Sequence, residues 1–239
     1  MLPTYREYAP PAGVERTVAC LWENRTAGGH AQRVVPDGCV DLIWVAGSGL
    51  EIAGADTGPR LVDLPAGASL YGVRLRPGAA GALLGLPASE LRDRQVATEL
   101  VWGEQLAPLE AALAAAAPAR RLDLLAGAVA RRDPVPDELV AAAARRLAAH
   151  PARVAAVAAD LGVSERQLHR RTLAAVGYGP KMLARVARLR RLIALPDRSL
   201  ASRALRAGYA SQAHMSEEVR RLTGLTPVRF LKDAQLTAA

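Results

Sequence analysis

The side chains best suited to a chemical task lie in one short segment of the C-terminal half. Directly after Ser164 come Arg166, Gln167, His169 and Arg170. Arginine and glutamine carry paired polar groups that match the edges of bases in the major groove of DNA. A Ser at the start of a helix caps the first N–H groups, and this end of a helix favours phosphate. These residue types predict contact with nucleic acid rather than catalysis.

The same arrangement occurs twice in the chain. Ala158–Pro180 and Ala204–Pro227 each combine a short helical segment, a Gly-containing turn, a Ser and a second helical segment that ends at Gly. Ser164 and Ser211 each precede that closing Gly by 13 positions. Because Gly accepts positive φ angles, two helices can cross steeply over a short turn. The repeat predicts two helix-turn-helix units, in which the second helix of each contacts DNA.

The elements around the repeat are also predicted to be helical. Asp137–Ala149 precedes the first copy, and a long helix begins at Pro180 and ends at about Leu195, before Pro196. A helix of about 16 residues is about 24 Å long, which with the flanking helices reaches the ~34 Å between successive major-groove faces. The two prolines within 132–137 mark a domain boundary, so we predict an all-α domain over 136–239 behind a domain over 1–135.

The distribution of charge supports a polyanionic partner. The chain has a formal net charge of +8, yet residues 136–239 hold 18 Lys and Arg against 8 Asp and Glu, a net of +10. Residues 1–135 hold 13 against 15, a net of −2. Because neutralising phosphates releases counterions, a basic domain favours DNA. The alternative is that the arginines only cover solvated helix faces.

The segment from about Asp137 to Lys232 resembles the paired helix-turn-helix domain of the AraC family of bacterial transcription regulators. The strongest part of the resemblance is AGYASQAHMSEEVRRLTGLTPVRFL in the second copy. It implies a sequence-specific regulator that binds double-stranded DNA and RNA polymerase, with a small-molecule effector and a homodimer as further family traits. Glu217 departs from the Arg that the family often has. The DNA-binding positions that follow are Ser164, Arg166, Gln167, His169 and Arg170 in the first copy, and Ser211, Gln212, Ala213, Ser216 and Glu217 in the second.

The N-terminal half is predicted to be rich in strands to about residue 76 and helical after it. Short apolar runs such as Cys39–Val45 and Ser69–Leu75 alternate with Gly, Pro and Asp, which favours a small β-barrel of cupin-like outline followed by helices. The fold class is therefore α+β. Val34–Trp44 and Gly72–Pro87 resemble an uncharacterised module found beside such DNA-binding domains, which implies a sensor or dimerisation role.

Four charged residues of this half interrupt apolar runs: Asp37, Asp41, Arg74 and Arg76. Since a buried charge is normally paired, they predict an internal Asp–Arg pair. The functional alternative is a pocket in which Arg74 or Arg76 binds an anionic effector. A metal site built from His30, Cys20, Cys39 and Asp41 is a weaker alternative because the spacing matches no compact ligand motif. A thiol sensor at Cys39 is a similarly weak alternative because an isolated Cys is more often a small buried apolar residue.

Other functional classes have less support. The sequence contains no Gly-rich phosphate loop, nucleophile elbow, H-E-x-x-H or paired-Cys motif, so we expect no enzyme, no catalytic residue and no cofactor. A DNA-associated enzyme with its activity in the N-terminal half and a helical scaffold that does not bind DNA remain as alternatives. With no export signal and no apolar run of 18 residues, we expect a cytoplasmic protein without a membrane partner.

Overall fold

The computed structural model describes residues 4–196 and 199–237. Its N-terminal half contains a six-stranded antiparallel sheet in the order β1-β2-β7-β4-β5-β8 and a separate β3-β6 ribbon. The sheet is open, with β1 and β8 as its edges, so the predicted barrel is not closed although the outline remains cupin-like. The strands are β1 (Thr4–Tyr8), β2 (Val18–Arg25), β3 (His30–Val34), β4 (Val40–Val45), β5 (Gly49–Ala53), β6 (Arg60–Leu64), β7 (Ser69–Leu75) and β8 (Gln95–Ala97).

Side chains alternate between the two faces of the sheet along each strand. In this sheet both faces carry apolar side chains. One face presents Leu42, Ile52 and Val73 to the helices that follow. The other face presents Trp22 and Ile43 to the apolar side chains of the β3-β6 ribbon, which covers it. The sheet therefore lies inside the domain, between a layer of helices and the ribbon.

Helices follow the seventh strand, as predicted, but β8 lies among them, so the strand-rich part extends beyond residue 76. Pro118–Arg132 packs on β7 and β2, and its Arg121 guanidinium lies 5.1 Å from the centre of the Tyr71 ring. The helices are α1 (Ala80–Leu84), α2 (Glu99–Trp102), α3 (Ala107–Ala115) and α4 (Pro118–Arg132), with 3-10 turns at Ala88–Leu91 and Gly103–Leu106.

The C-terminal part is helical, and its helix ends agree with the sequence signals. Ser164, Ser199 and Ser211 cap helices through their side chains. Gly177, Gly208 and Gly224 end the same three helices with positive φ angles. These elements are α5 (Glu138–Ala149), α6 (Val154–Asp160), α7 (Glu165–Val176), α8 (Pro180–Ala194), α9 (Leu200–Ala207), α10 (Gln212–Thr223) and α11 (Pro227–Thr237). None of these described helices combines the length and apolar character needed to cross a membrane.

The two helix-turn-helix units have separate apolar cores. The first unit, α6 and α7, shares one continuous core with the sheet and with α1, and Leu168 and Val176 are buried in it. The second unit, α9 and α10, has its own core with Met215 and Val219. The connecting helix α8 contributes to both cores. The expected boundary near residue 136 falls between α4 and α5, but the first core continues across it.

Candidate nucleic-acid interface

The first recognition helix, α7, begins with a capping box. The Ser164 side chain accepts a hydrogen bond from the Gln167 N–H at 3.2 Å, and Gln167 Oε1 accepts one from the Ser164 N–H at 2.9 Å. Each bond satisfies an N–H group that a helix start leaves without a partner. Gln167 therefore has a structural role in addition to its exposed position. The cap fixes the start of the helix that presents the predicted contacts.

The exposed face of α7 carries the basic residues that the sequence singled out. Arg166, His169 and Arg170 are exposed, and none makes a hydrogen bond or ion pair with another residue in the described part of the chain. His169 lies against Gly179, where an added Cβ would approach the imidazole within 2.7 Å. An open cleft of about 570 Å³ separates the starts of α7 and α8. It is lined in part by Arg166, His169, Lys181 and Arg185.

The neighbouring Arg171 has a different environment. Its guanidinium donates hydrogen bonds to Asp137 at 2.8 and 2.7 Å, and Asp137 also caps α5 by accepting from the Val140 N–H at 3.0 Å. Burial opposes the ionisation of Asp137, but these hydrogen bonds outweigh it and lower the pKa of Asp137. Arg171 thus joins α7 to α5 and is not directed to a ligand.

The second recognition helix, α10, presents a less basic face. Ser211 caps it by accepting from the His214 N–H at 3.1 Å, and Gln212 and Ala213 are exposed. Ser216 is half-buried and its hydroxyl donates to the Gln212 carbonyl at 2.8 Å. Exposed Glu217 is ion-paired within the helix to Arg221 at 2.8 Å. The five positions lie near the start of α10, but only Gln212, Ala213 and Glu217 extend fully into solvent along with the cap.

A buried carboxylate that the sequence analysis did not identify joins α10 to α8. Glu218 is buried and accepts hydrogen bonds from Arg188 at 2.9–3.2 Å. The Nε atom of Arg185 lies 3.4 Å from the same carboxylate, and His214 Nε2 lies 3.6 Å away. The only available sequence signal was the separation of Arg185 and Arg188 by three residues, which places them on one helix face.

A third arginine of α8 links the ends of other helices. Arg191 donates to the carbonyls of Leu147 and Ala148 at the end of α5, and to the carbonyl of Ala207 at the end of α9. Helix C-termini carry partial negative charge, so a guanidinium between two of them is favourable. This arginine connects the end of α5 to the end of α9 through the connecting helix.

Several basic residues of the C-terminal part are bonded to other groups of the protein. Arg171, Arg185, Arg188, Arg191 and Arg203 contact carboxylates or carbonyls, so they are less available to a ligand than the charge count suggests. The exposed basic side chains without a hydrogen-bond or ion-pair partner in the described residues are Arg145, Arg146, Arg153, Arg166, Arg170, Lys181, Arg220, Arg229 and Lys232.

Three of the four charged residues singled out in the N-terminal half lie together. Arg74 donates to both carboxylate oxygens of Asp41 at 3.2 Å, and it lies 3.3 Å from Asp37 and 3.2 Å from Glu7. Arg76 lies apart, donating from Nε to the Glu15 carbonyl at 2.7 Å. The internal Asp–Arg pair is therefore present, and one guanidinium faces three carboxylates.

The ionisation of this cluster follows from its burial. Burial raises the pKa of Asp41 to about 6, although Arg74 opposes the shift, and Asp37 adds to it. Burial alone would lower the pKa of Arg74, but Asp41 and Asp37 raise it, so the guanidinium stays charged. With its carboxylates ionised, the cluster carries more negative than positive charge.

The cysteines lie beside the charged cluster, since Cys20 is opposite Arg74 in the sheet and the Cys39 N–H donates to Asp37 at 2.9 Å, whereas His30 belongs to the ribbon. Burial raises the pKa of Cys20 to about 11 and that of Cys39 well above the ordinary thiol value. His30 lies exposed on the ribbon. Within residues 4–196 and 199–237, no group of three His, Cys, Asp or Glu side chains has the arrangement of a metal site.

The N-terminal half contacts the connecting helix and the end of the second recognition helix. The Asp37 carbonyl lies 3.5 Å from Arg190 of α8, and an added Cβ at Gly38 would contact Leu183 of α8 at 3.4 Å. In the ribbon, Arg33 donates to the Thr223 carbonyl at the end of α10 at 3.1 Å. The loop that carries Asp37 thus lies between the charged cluster and the connecting helix.

Comparison with known proteins agrees with this division of the chain. Residues 157–233 match a family described as a helix-turn-helix domain, and residues 6–97 match a domain of unknown function, DUF6597. No curated protein matches the sequence.

Solved structures of transcription regulators are similar to this chain. One is a probable AraC family transcriptional regulator from Rhodopseudomonas palustris CGA009, 22% identical with a TM-score of 0.35, covering 41% of this chain and 98% of that one. ToxT from Vibrio cholerae O395 is 12% identical with a TM-score of 0.47, and the match covers 90% of this chain and 96% of that one. ToxT from Vibrio cholerae strain SCE256 with bound unsaturated fatty acid is 12% identical with a TM-score of 0.46, covering 88% and 93%. The family matches thus describe residues 157–233 as a helix-turn-helix domain behind an N-terminal domain similar to DUF6597.

Proposed function

We propose that this protein is a sequence-specific DNA-binding regulator of transcription that places α7 and α10 in two successive major grooves. The observation that supports this most directly is the pair of Ser-capped helices of 12 residues each, both with an exposed start. The connecting helix has 15 residues, hence a length of about 22 Å. With a recognition helix at each end, this length suits the ~34 Å between successive major-groove faces.

The two recognition helices have different tasks in this proposal. Arg166, His169 and Arg170 have free donors for base edges or phosphates, so α7 supplies most of the affinity and base selection. In α10, Gln212 can bond an adenine edge, and Ala213 can contact a thymine methyl group. The remaining proposed contacts are Ser164, Gln167 and Ser211 near phosphates, and Ser216 and Glu217, whose oxygens can accept from cytosine N4.

We propose that the N-terminal domain senses a small molecule at Asp37, Asp41 and Arg74. The support is the position of this cluster beside the loop that contacts α8. An anionic effector would have to compete with three carboxylates for one guanidinium, so a cationic or neutral polar effector is more compatible with these charges. Arg76 lies outside the cluster. RNA polymerase and a second copy of the chain are the further partners in this proposal.

A panel of small amines and small carboxylic acids tests the sensor proposal by thermal unfolding. A ligand that binds only the folded protein raises the melting temperature. We expect an amine to raise it in the wild type and not in Asp41→Asn, with no rise from the acids. A rise from an acid that Asp41→Asn leaves unchanged would contradict this assignment.

Duplex binding at several salt concentrations tests the DNA-binding proposal. The full-length protein would first select duplexes from a random library, and a selected duplex would then be compared with a scrambled one. We expect preference for the selected duplex and an affinity that falls with salt by a slope of about −0.9 per contacted phosphate. Arg166→Ala should weaken binding, whereas Arg120→Ala on α4, an equally basic change far from α7, should not. No binding at any salt concentration would support the scaffold alternative.

A further inference from the structure

We propose that Glu218 is a positioning residue that fixes α10 on the connecting helix and thereby sets the spacing between the two DNA segments that the protein recognises. This inference rests on the proposed function. Glu218 does not belong to the predicted DNA-contact positions, and its carboxylate is directed to α8 rather than to solvent. Its effect on DNA binding would therefore act through the placement of a helix.

The first argument is the cost of burying a carboxylate. The Glu218 side chain is 8% exposed, and a charge this buried requires opposite charge and hydrogen bonds. Arg188 supplies bonds to both carboxylate oxygens, and Arg185 and His214 approach them as well. If α10 slid or rotated on α8, the carboxylate would lose Arg185 and Arg188 while remaining buried, because only His214 belongs to α10 and would move with it. The observed placement of α10 keeps both arginines in contact.

The second argument is that the apolar contacts of α10 are less directional. Met215, Val219 and Leu222 pack in an apolar core, and apolar contact alone tolerates small sliding and rotation. An Arg–carboxylate contact depends on the orientation of a planar guanidinium. The ion pair thus adds angular definition that the apolar core of the second unit does not supply.

The third argument is that α8 is itself fixed to the first unit. Leu183 and Val186 belong to the core shared with α7, and Arg191 binds the last carbonyls of α5. A helix fixed to α8 is therefore fixed relative to α7. The position of α10 relative to α7 thus depends on α8 and on the contact between α8 and Glu218.

A positioning role and a purely structural role predict different results. One inserted base pair moves the second DNA segment by about 3.4 Å and rotates it by about 35° relative to the first. A rigid protein must then lose the contacts of one unit, whereas a loosened one can follow the displaced segment. A residue that only stabilises the fold would change binding to all duplexes by a similar factor.

The experiment measures affinity of the full-length protein for a duplex selected by the wild type and for versions with one base pair inserted or removed between the two contacted segments. We expect the affinity of the wild type to fall roughly 10-fold to 100-fold on either change, which is the range of one good base contact. Glu218→Gln removes the charge with little change in shape. We expect the affinity of Glu218→Gln to differ by less than about threefold between the duplexes of different spacing. Its discrimination between bases inside each segment should be unchanged.

Two further variants complete the test. Arg188→Gln removes the main partner and should relax the spacing preference in the same direction, which covers the case that Glu218→Gln does not fold. Asp123→Asn removes an exposed carboxylate that pairs with Arg120 on α4 and should keep the wild-type spacing penalty. If folded Glu218→Gln and Arg188→Gln both keep that penalty, the proposal is overturned. If the wild type selects no sequence, the proposed function fails, and the inference fails with it.

Discussion

Arg170 and Arg171 are neighbours on α7, and the structure gives them different partners. Arg170 is exposed without a hydrogen-bond partner in the described residues, whereas Arg171 binds Asp137. We expect Arg170→Ala to reduce affinity for the selected duplex by about 1–3 kcal/mol and to leave the melting temperature unchanged. Arg171→Ala should cost about 1 kcal/mol of unfolding free energy and change DNA affinity little. Duplex titration and urea unfolding of both variants check this. Equal losses of affinity would contradict the distinction.

The contribution of the Arg171–Asp137 pair should depend on pH with a defined sign. The pKa of Asp137 is lowered in the fold, so the unfolded chain takes up the proton first as the pH falls. The contribution is fully present above the unfolded value of about 3.9 and is lost as the pH falls through the lower folded value. The stability difference between wild type and Arg171→Ala should thus be constant from pH 7 to about pH 5 and shrink below about pH 4. A difference that disappeared already near neutral pH would contradict this account.

The two cysteines should be poor nucleophiles in the folded protein. Burial raises the pKa of Cys20 to about 11 and raises that of Cys39 well above its usual range, so both remain thiols near neutral pH. Because the thiolate is the reactive form, alkylation by iodoacetamide at pH 7.5 should be slow in the native protein and fast after unfolding in urea. For Cys20, the native rate should rise as the pH approaches 11. Rapid native alkylation of Cys39 would instead support a thiol sensor.

At the scale of single elements, the sequence predicted what local signals determine. Ser164 and Ser211 cap their helices as expected, because an N-cap acts within one turn of the chain. The edge strands β1 and β8 were not predicted, because strand pairing depends on distant partners more than on composition. The contact between Glu218 and Arg188 was not predicted either, because the two residues are 30 positions apart in the sequence. Local signals therefore located the recognition helices but not the contacts that orient them.

The contact between α1 and α7 depends on the absence of a side chain at Gly81. A Cβ there would lie 2.9 Å from the Ala174 carbonyl oxygen of α7, closer than such atoms normally approach. We expect Gly81→Ala to separate these helices and to cost about 1–3 kcal/mol of unfolding free energy, less a helix-propensity gain of up to about 1 kcal/mol. Gly127→Ala on α4 is the matched control, since its Cβ would meet only the flexible end of Arg131 at 3.2 Å.

The control variant should be neutral or more stable by about 0.5–1 kcal/mol, because Ala favours the helix. Thermal or urea unfolding of both glycine variants measures the difference. If Gly81→Ala were as stable as Gly127→Ala, the close packing of α1 on α7 would not contribute to the stability of the fold.

At the scale of the whole molecule, the first helix-turn-helix unit is part of the N-terminal core. The Asp137 N–H donates to the Gly78 carbonyl at 3.0 Å, and an added Cβ at Gly177 would lie 3.1 Å from the Ala88 carbonyl. Tyr178, next to it, is 3% exposed. The second unit has a core of its own. The N-terminal domain therefore contacts α7 directly and contacts the end of α10 through Arg33, while α8 joins the two units.

This shared core predicts how a fragment of residues 136–239 behaves. Removing the N-terminal half would expose the side of α7 that carries Ala175 and Val176, and exposed apolar surface of this kind lowers stability and binds hydrophobic dyes. We expect the full-length chain to unfold in one main transition, and the fragment to melt at lower temperature and to bind a hydrophobic dye before melting. Differential scanning calorimetry and dye fluorescence of both proteins measure this. A fragment that melts at the temperature of the full-length protein without binding dye would show that residues 136–239 form an independent domain whose stability does not depend on the core of the N-terminal half.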